Sequence, residues 1–212
     1  FQLDRAPETS TDQHIRRAHL ALGASLEGRK AVYLDTKFWI LLRDAQRFPE
    51  HTEAAPLLDV LCKGVASGAL FCPISESVFV ELMKQSDPVS RLVMASLIDQ
   101  LSQGVTLVDE RQRLATEITH FMSSKFGKTE LHPLRHMVWA RLSCVLGVLY
   151  PTNTGLDEAD ERAIQKAFFD HMWSRPLADM VRVISKQNLE VPGTDLSSVA
   201  TLLNTGVAAH AH

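Results

Sequence analysis

A chain of 212 residues is long enough to bury about 70% of its unfolded surface, so it needs neither a metal nor a disulfide merely to fold. Its 45% hydrophobic and 22% charged residues exclude a disordered or fibrous protein. A net charge of −3 counts a little against a nucleic-acid binder that works by bulk positive charge, and not against one with an acidic pocket inside a basic rim, so the charge decides little.

Residues 1–12 are polar and read as a loop leading to a helix cap. A helix is predicted over 12–26, with Ile15, Ala18, Leu22 and Leu26 on one face and Gly28 just beyond its end. Val32, Tyr33 and Leu34 then form a short strand-favouring run of the kind buried on both faces of a parallel sheet. Asp35 and Thr36 stop it and can cap the helix that carries Phe38, Trp39, Leu41 and Leu42. A strand that passes straight into a helix through Asp places the carboxylate at the C-terminal edge of a sheet, where open α/β folds bind ligands.

A helix over 53–67 and a turn at Gly68 lead to the run ALFCPIS, read as a second buried strand. ESVFVELMKQ is a helix with Ser75 or Ser77 near its start. Asp87-Pro88 breaks the chain before an amphipathic helix closed by Gly104. VTLV is a third strand, and a helix capped by Asp109 follows. The order is βααβααβα, which implies a parallel central sheet flanked by crossover helices. The remainder reads as largely helical: a segment from His132-Pro133 to Gly147, then helices over 157–173 and 176–186. The tail from Leu189 suggests a weak strand, a turn at Pro192-Gly193 and a short helix. The expected organisation is an N-terminal helical extension over 1–29 and an α/β domain over 30–212 with a helical C-terminal elaboration.

Cys62, Cys72 and Cys144 are odd in number and flanked by apolar residues, as buried free thiols of a reducing, cytoplasmic compartment would be. No signal peptide is visible and no apolar run approaches the ~18 residues that span a membrane. The first residue is Phe and not Met, so the expectation is either a fragment or a chain given without a disordered start.

Two segments stand out together. VYLDT opens into a helix, and CPISESVFVEL feeds a helix whose second turn carries Glu81. They resemble the first and second signatures of PIN-like domain nucleases, with Asp35-Thr36 matching one and Glu81-Leu82 the other. The segment GVTLVDERQRLATEI is similar to that family's third strand and following helix. The resemblance covers residues 30–120. It implies a PIN-like α/β fold and a metal-dependent endoribonuclease that hydrolyses RNA phosphodiester bonds. By the same resemblance Asp35, Glu81, Asp179 and Asp195 bind Mg²⁺ or Mn²⁺, and Thr36 orients Asp35 or a metal-bound water. The implied partners are an RNA substrate and a protein such as an antitoxin, with this chain acting as a toxin, RNA-processing factor or defence effector. Lys37 departs from the Asn that often follows Asp-Thr in the family. For the third acid, Asp157, Asp160 and Asp170 rival Asp179, and Pro192 interrupts the strand expected before Asp195. The alternative is a catalytically silent PIN-like module that binds protein or RNA. Three or four carboxylates at a common point favour the enzyme, and two or fewer favour the silent module.

Each residue also has a plain structural role open to it. Asp35 and Asp109 can be helix caps, and Glu76 and Glu81 solvated helix positions. His132 and His136, four apart, have the spacing of half a zinc site but no third ligand nearby. Lys84, Arg91, Arg111, Arg113 and Lys125 could form a basic rim or a solvated surface.

Overall fold

The structure, a computed structural model, describes residues 9–128 and 131–190. Short polar side chains set most of its helix starts by accepting a bond from a first-turn N–H. Ser10 does so for α1 (Thr11–Ser25) and Asp35 for α2 (Thr36–Arg47). Pro56 sits in the first turn of α3 (Ala55–Ala66), where its missing N–H costs nothing. Ser75 caps α4 (Glu76–Met83), and Asp87 caps α5 (Pro88–Ser102) through Val89 and Ser90. Asp109 and Asp157 cap α6 (Glu110–Lys125) and α7 (Glu158–Trp173). The last described helix is α8 (Leu177–Glu190).

The expected parallel central sheet does not form. Among the described residues, β1 (Lys30–Ala31) pairs in parallel with β2 (Leu70–Phe71) over two residues. Separately, β3 (Val105–Leu107) pairs antiparallel with β4 (Trp139–Arg141). The reason lies in how β2 ends. Cys72 N–H donates 2.9 Å to Leu101 O, so the last turn of α5 stands where a neighbouring strand would pair. Pro73, the next residue, has no N–H to give. Contact with β3 resumes only at Ile74, as one parallel bridge to Thr106. There Ile74 O accepts from both Leu107 N–H at 3.0 Å and the Thr106 hydroxyl at 2.9 Å.

The second correction concerns 133–147, expected to be helical. It holds two single 3₁₀ turns, Leu134–His136 and Leu142–Cys144, with β4 between them. The β-favouring residues Val138 and Trp139 meet a partner edge in β3 that local periodicity does not reveal.

Helices therefore form the core. Met94, Ala95, Leu97, Ile98 and Leu101 of α5 are fully buried, and only the side that carries Ser96 and Gln100 faces outward. Around it pack α2, α3, α4 and α8, contributing Trp39, Leu42, Leu61, Leu82, Leu177 and Val181. A second cluster joins Leu22 of α1 and Leu26, at its C-cap, to Phe71 and Val105. Cys72 and Cys144 are buried and Cys62 is partly exposed, all as free thiols. Among the described residues no helix is long and apolar enough to cross a membrane.

Candidate active site

Packing of α2 against α4 creates the site. The buried residues Leu34 and Trp39 fix the chain on either side of Asp35 and Thr36. Asp35 takes its cap role: its Oδ1 accepts from Thr36 N–H at 2.8 Å, and its own carbonyl accepts from Phe38 and Trp39 N–H. In α4, Val78, Phe79 and Leu82 face the core. Ser77, Glu81 and Lys84, at i, i+4 and i+7, consequently share the outward face.

The two faces meet through one side-chain bond, in which the Thr36 hydroxyl donates to Glu81 Oε2. Beside it runs a chain of hydroxyls. Tyr33 Oη lies 2.8 Å from Ser75 Oγ, which lies 2.9 Å from Ser77 Oγ.

A cleft of about 730 Å³ opens here. One wall is α4, with Glu76, Ser77, Val80, Glu81 and Lys84. The other is the end of β3 and the first turn of α6, with Leu107, Val108, Glu110 and Arg113. Three carboxylates and two cations thus share one open cavity with the apolar side chains of Val80, Leu107 and Val108. Such a lining suits a charged ligand that carries both bound cations and anionic groups, rather than an apolar one.

The remaining predicted acids lie elsewhere. Asp179, in the first turn of α8, bonds Arg182 and sits close enough to Asp99 to disfavour its ionisation. Asp195 lies outside the described residues. Asp157 caps α7 through Asp160 N–H at 2.9 Å, and Asp170 bonds His14 Nε2 at 2.7 Å. His136 Nε2 is 3.9 Å from Glu27 rather than in a metal cluster. Among the described residues, no group of three or more His, Cys, Asp or Glu side chains is arranged to hold a metal ion.

Of the basic residues, Lys84 and Arg113 line the cleft. Arg91 is buried and donates to Gln85 O at 3.0 Å, which removes it from any rim. Tyr33 and Glu110 were not singled out from the sequence. The signal for Glu110 was its place at the start of a helix directly after a strand, the position that also made Asp109 conspicuous. Tyr33 had none, since it reads as one more residue of an apolar strand.

Comparison of the chain with models of protein families, with curated proteins and with solved structures gives no match.

Proposed function

We propose that this cleft is the active site of a metal-dependent ribonuclease, in which Asp35 and Glu81 hold Mg²⁺ or Mn²⁺. The observation that carries the proposal is the Thr36–Glu81 bond, which joins two acidic segments distant in sequence beside the cleft that Glu81 lines.

The donor set fits a hydrated ion. Mg²⁺ takes oxygen ligands, keeps several waters and is commonly held by one or two carboxylates together with substrate phosphate. Thr36 engages one oxygen of each acid, Asp35 through its N–H and Glu81 through its hydroxyl. When bound, the ion supplies a more acidic water and positive charge at the scissile phosphate. The chain's own part is to position. Thr36 holds Glu81 in one orientation, while Lys84 and Arg113 offer cations to flanking phosphates. The free thiols Cys72 and Cys144 favour a reducing, cytoplasmic setting for the work. An RNA substrate and a protein partner of antitoxin type belong to the same proposal.

The second reading is a silent module that binds RNA or protein in the cleft. It is favoured by the absence of a three-acid group among the described residues.

One experiment separates them. RNA cleavage is measured with Mn²⁺ for the parent, Asp35→Asn and Glu81→Gln, and Mn²⁺ affinity is measured for each by calorimetry. The nuclease reading expects cleavage by the parent and its loss, together with weaker Mn²⁺ binding, in both variants. RNA binding without cleavage in the parent, unchanged in the variants, would establish the silent module instead.

A further inference from the structure

A second cavity, of about 240 Å³, lies beside the end of α1 and has no part in the chemistry proposed above. Its lining carries two guanidinium groups, Arg29 and Arg135, the imidazole of His136 and one carboxylate, Glu27. Arg135 bonds Glu27. Arg29 has no such neutralising partner among the described residues. Its Nη2 donates to Leu70 O at 2.9 Å and to Gln103 Oε1 at 2.7 Å, both uncharged. Positive charge therefore gathers here in a chain whose total is −3. Phe71 and Trp139, edge to face at 5.3 Å, supply apolar lining, and a low-dielectric wall concentrates the field of the cations beside it.

Two nitrogens of these side chains lack an acceptor. Arg29 Nε and His136 Nε2 are buried and have no hydrogen-bond partner among the described residues. Glu27 Oε2 is 3.9 Å from the imidazole nitrogen, too far to bond it. A buried polar nitrogen left unpaired is costly, and an oxygen-bearing anion seated in the cavity would offer acceptors to both, His136 carrying its proton on Nε2. Arg29 is already positioned, by its two bonds and by its place 5.3 Å over the Phe71 ring. The volume is below the ~300 Å³ at which pockets for drug-sized ligands begin, which selects a compact anion.

We propose that this cavity binds a phosphate group, with Arg29, Arg135 and His136 donating to its oxygens. The planar fork of a guanidinium matches phosphate with parallel N–H bonds. Donors from three side chains exceed what the two oxygens of a carboxylate need and suit the larger oxygen set of a phosphate. The phosphate has two possible sources, a free phosphate or nucleotide and the backbone of an RNA strand. The position of the cavity gives the second source a role. Leu107 of the first cleft and Trp139 of this one are directly opposite partners in the β3–β4 pair, so the two cavities adjoin. Tyr33 of the first and Ala31 of the second stand only two residues apart on the chain. A strand cleaved at the first cleft would lay a flanking phosphate in the second, and that role alone rests on the nuclease reading.

Nitrogen-15 NMR on the full chain tests this, in EDTA so that no metal chemistry enters. The Arg29 Nε–H resonance, assigned by its loss in Arg29→Lys, is followed during titration with inorganic phosphate, adenosine monophosphate and a short single-stranded RNA, with acetate as the control. It should shift with ligands that carry phosphate and not with acetate at equal concentration. Arg135→Gln should weaken the binding about five-fold or more. Glu27→Gln takes the carboxylate out of the lining and should tighten it several-fold, a gain that damage to the fold does not mimic. RNA bound more tightly than the mononucleotide, with a salt slope smaller by about 0.7 in Arg135→Gln, identifies the backbone as the source. Binding of phosphate or the mononucleotide without RNA identifies the free ligand, and either result supports a phosphate site. A resonance that ignores all three ligands overturns the proposal. So does an equal response to acetate, or affinity unchanged in both Arg135→Gln and Glu27→Gln. If Arg29→Lys unfolds the chain, those two variants still decide, since their side chains are 68% and 56% exposed. RNA that is never cleaved with Mn²⁺ would remove the nuclease reading and leave this titration standing.

Discussion

The Thr36 hydroxyl on α2 donates to the Glu81 carboxylate on α4 across 45 positions of chain. Neither helix can set this geometry alone. The bond exists because Trp39 of one helix and Leu82 of the other are fully buried in the same core, which holds both helices in register. Thr36→Val keeps the shape and removes the donor. Both side chains keep access to water, so the stability loss should be about 1 kcal/mol or less. If Glu81 needs that orientation to act, Mn²⁺-dependent RNA cleavage should fall by about ten-fold or more in the same variant. Parent-level cleavage in Thr36→Val would show that the bond is incidental to the chemistry.

The helix starts were legible because a cap is a local event: Asp35, Ser75 and Asp109 each had to be read only against the residues that follow them. The sheet was not. VYL and LFC look alike as apolar runs, yet what each one pairs with is fixed by distant chain, here the end of α5 at Leu101. The same blindness made 139–141 look helical, since the edge it pairs with lies in β3. The sequence directs attention to Asp35 and Glu81 as chemistry-bearing residues. That Thr36 would bond Glu81, and not Asp35 or a water alone, depends on how two helices pack. The outward apolar face of α6, on which Leu114, Ile118 and Phe121 are each more than half exposed, was likewise hidden, because periodicity shows that a helix is amphipathic but not which way it faces.

Gly23 gives a packing prediction. A Cβ built there would stand 2.3 Å from His136 O and 2.4 Å from its Cα, so α1 rests directly on the backbone of the 3₁₀ turn at Leu134–His136. At an open helix position Ala would stabilise by about 1 kcal/mol relative to Gly. Here the contact is with backbone, which cannot swing aside. Gly23→Ala should instead cost about 1–3 kcal/mol, seen as a lower urea midpoint. A raised midpoint would mean that the turn yields freely.

His19 predicts a pH dependence. Its ring lies 4.8 Å from that of Trp173, and its Nδ1 is 2.7 Å from Trp139 O, which makes that nitrogen the donor. Burial lowers its pKa below the ordinary 6.5, more strongly than the bond to the carbonyl raises it. The unfolded chain therefore takes up this proton first as pH falls. The stability that His19 contributes is complete above 6.5 and is lost as pH drops through 6.5 to the depressed folded value. Unfolding measured across that window should show a steeper decline for the parent than for His19→Gln, and equal slopes would place the imidazole in water.

Asp99 closes the connection between α5 and α8. Its two carboxylate oxygens accept from Leu177 and Ala178 N–H, each at 2.9 Å, so α5 caps the start of another helix. Asp99→Ala leaves both donors without that partner and should cost about 1–2 kcal/mol, with amide exchange in α8 accelerating ahead of that in α5. The carboxyl also titrates against the fold. Burial raises its pKa and nearby Asp179 adds to this, while the two N–H bonds and Arg182 oppose them without cancelling. A raised folded value means that the unfolded chain ionises first. The group's contribution is complete below the ordinary 3.8 and diminishes as pH rises through the folded value. Asp99→Asn keeps one acceptor and carries no charge to bury, so its stability relative to the parent should improve from pH 3 toward neutrality. A difference that stays flat over that range would show that water, and not the α5–α8 interface, solvates this carboxylate.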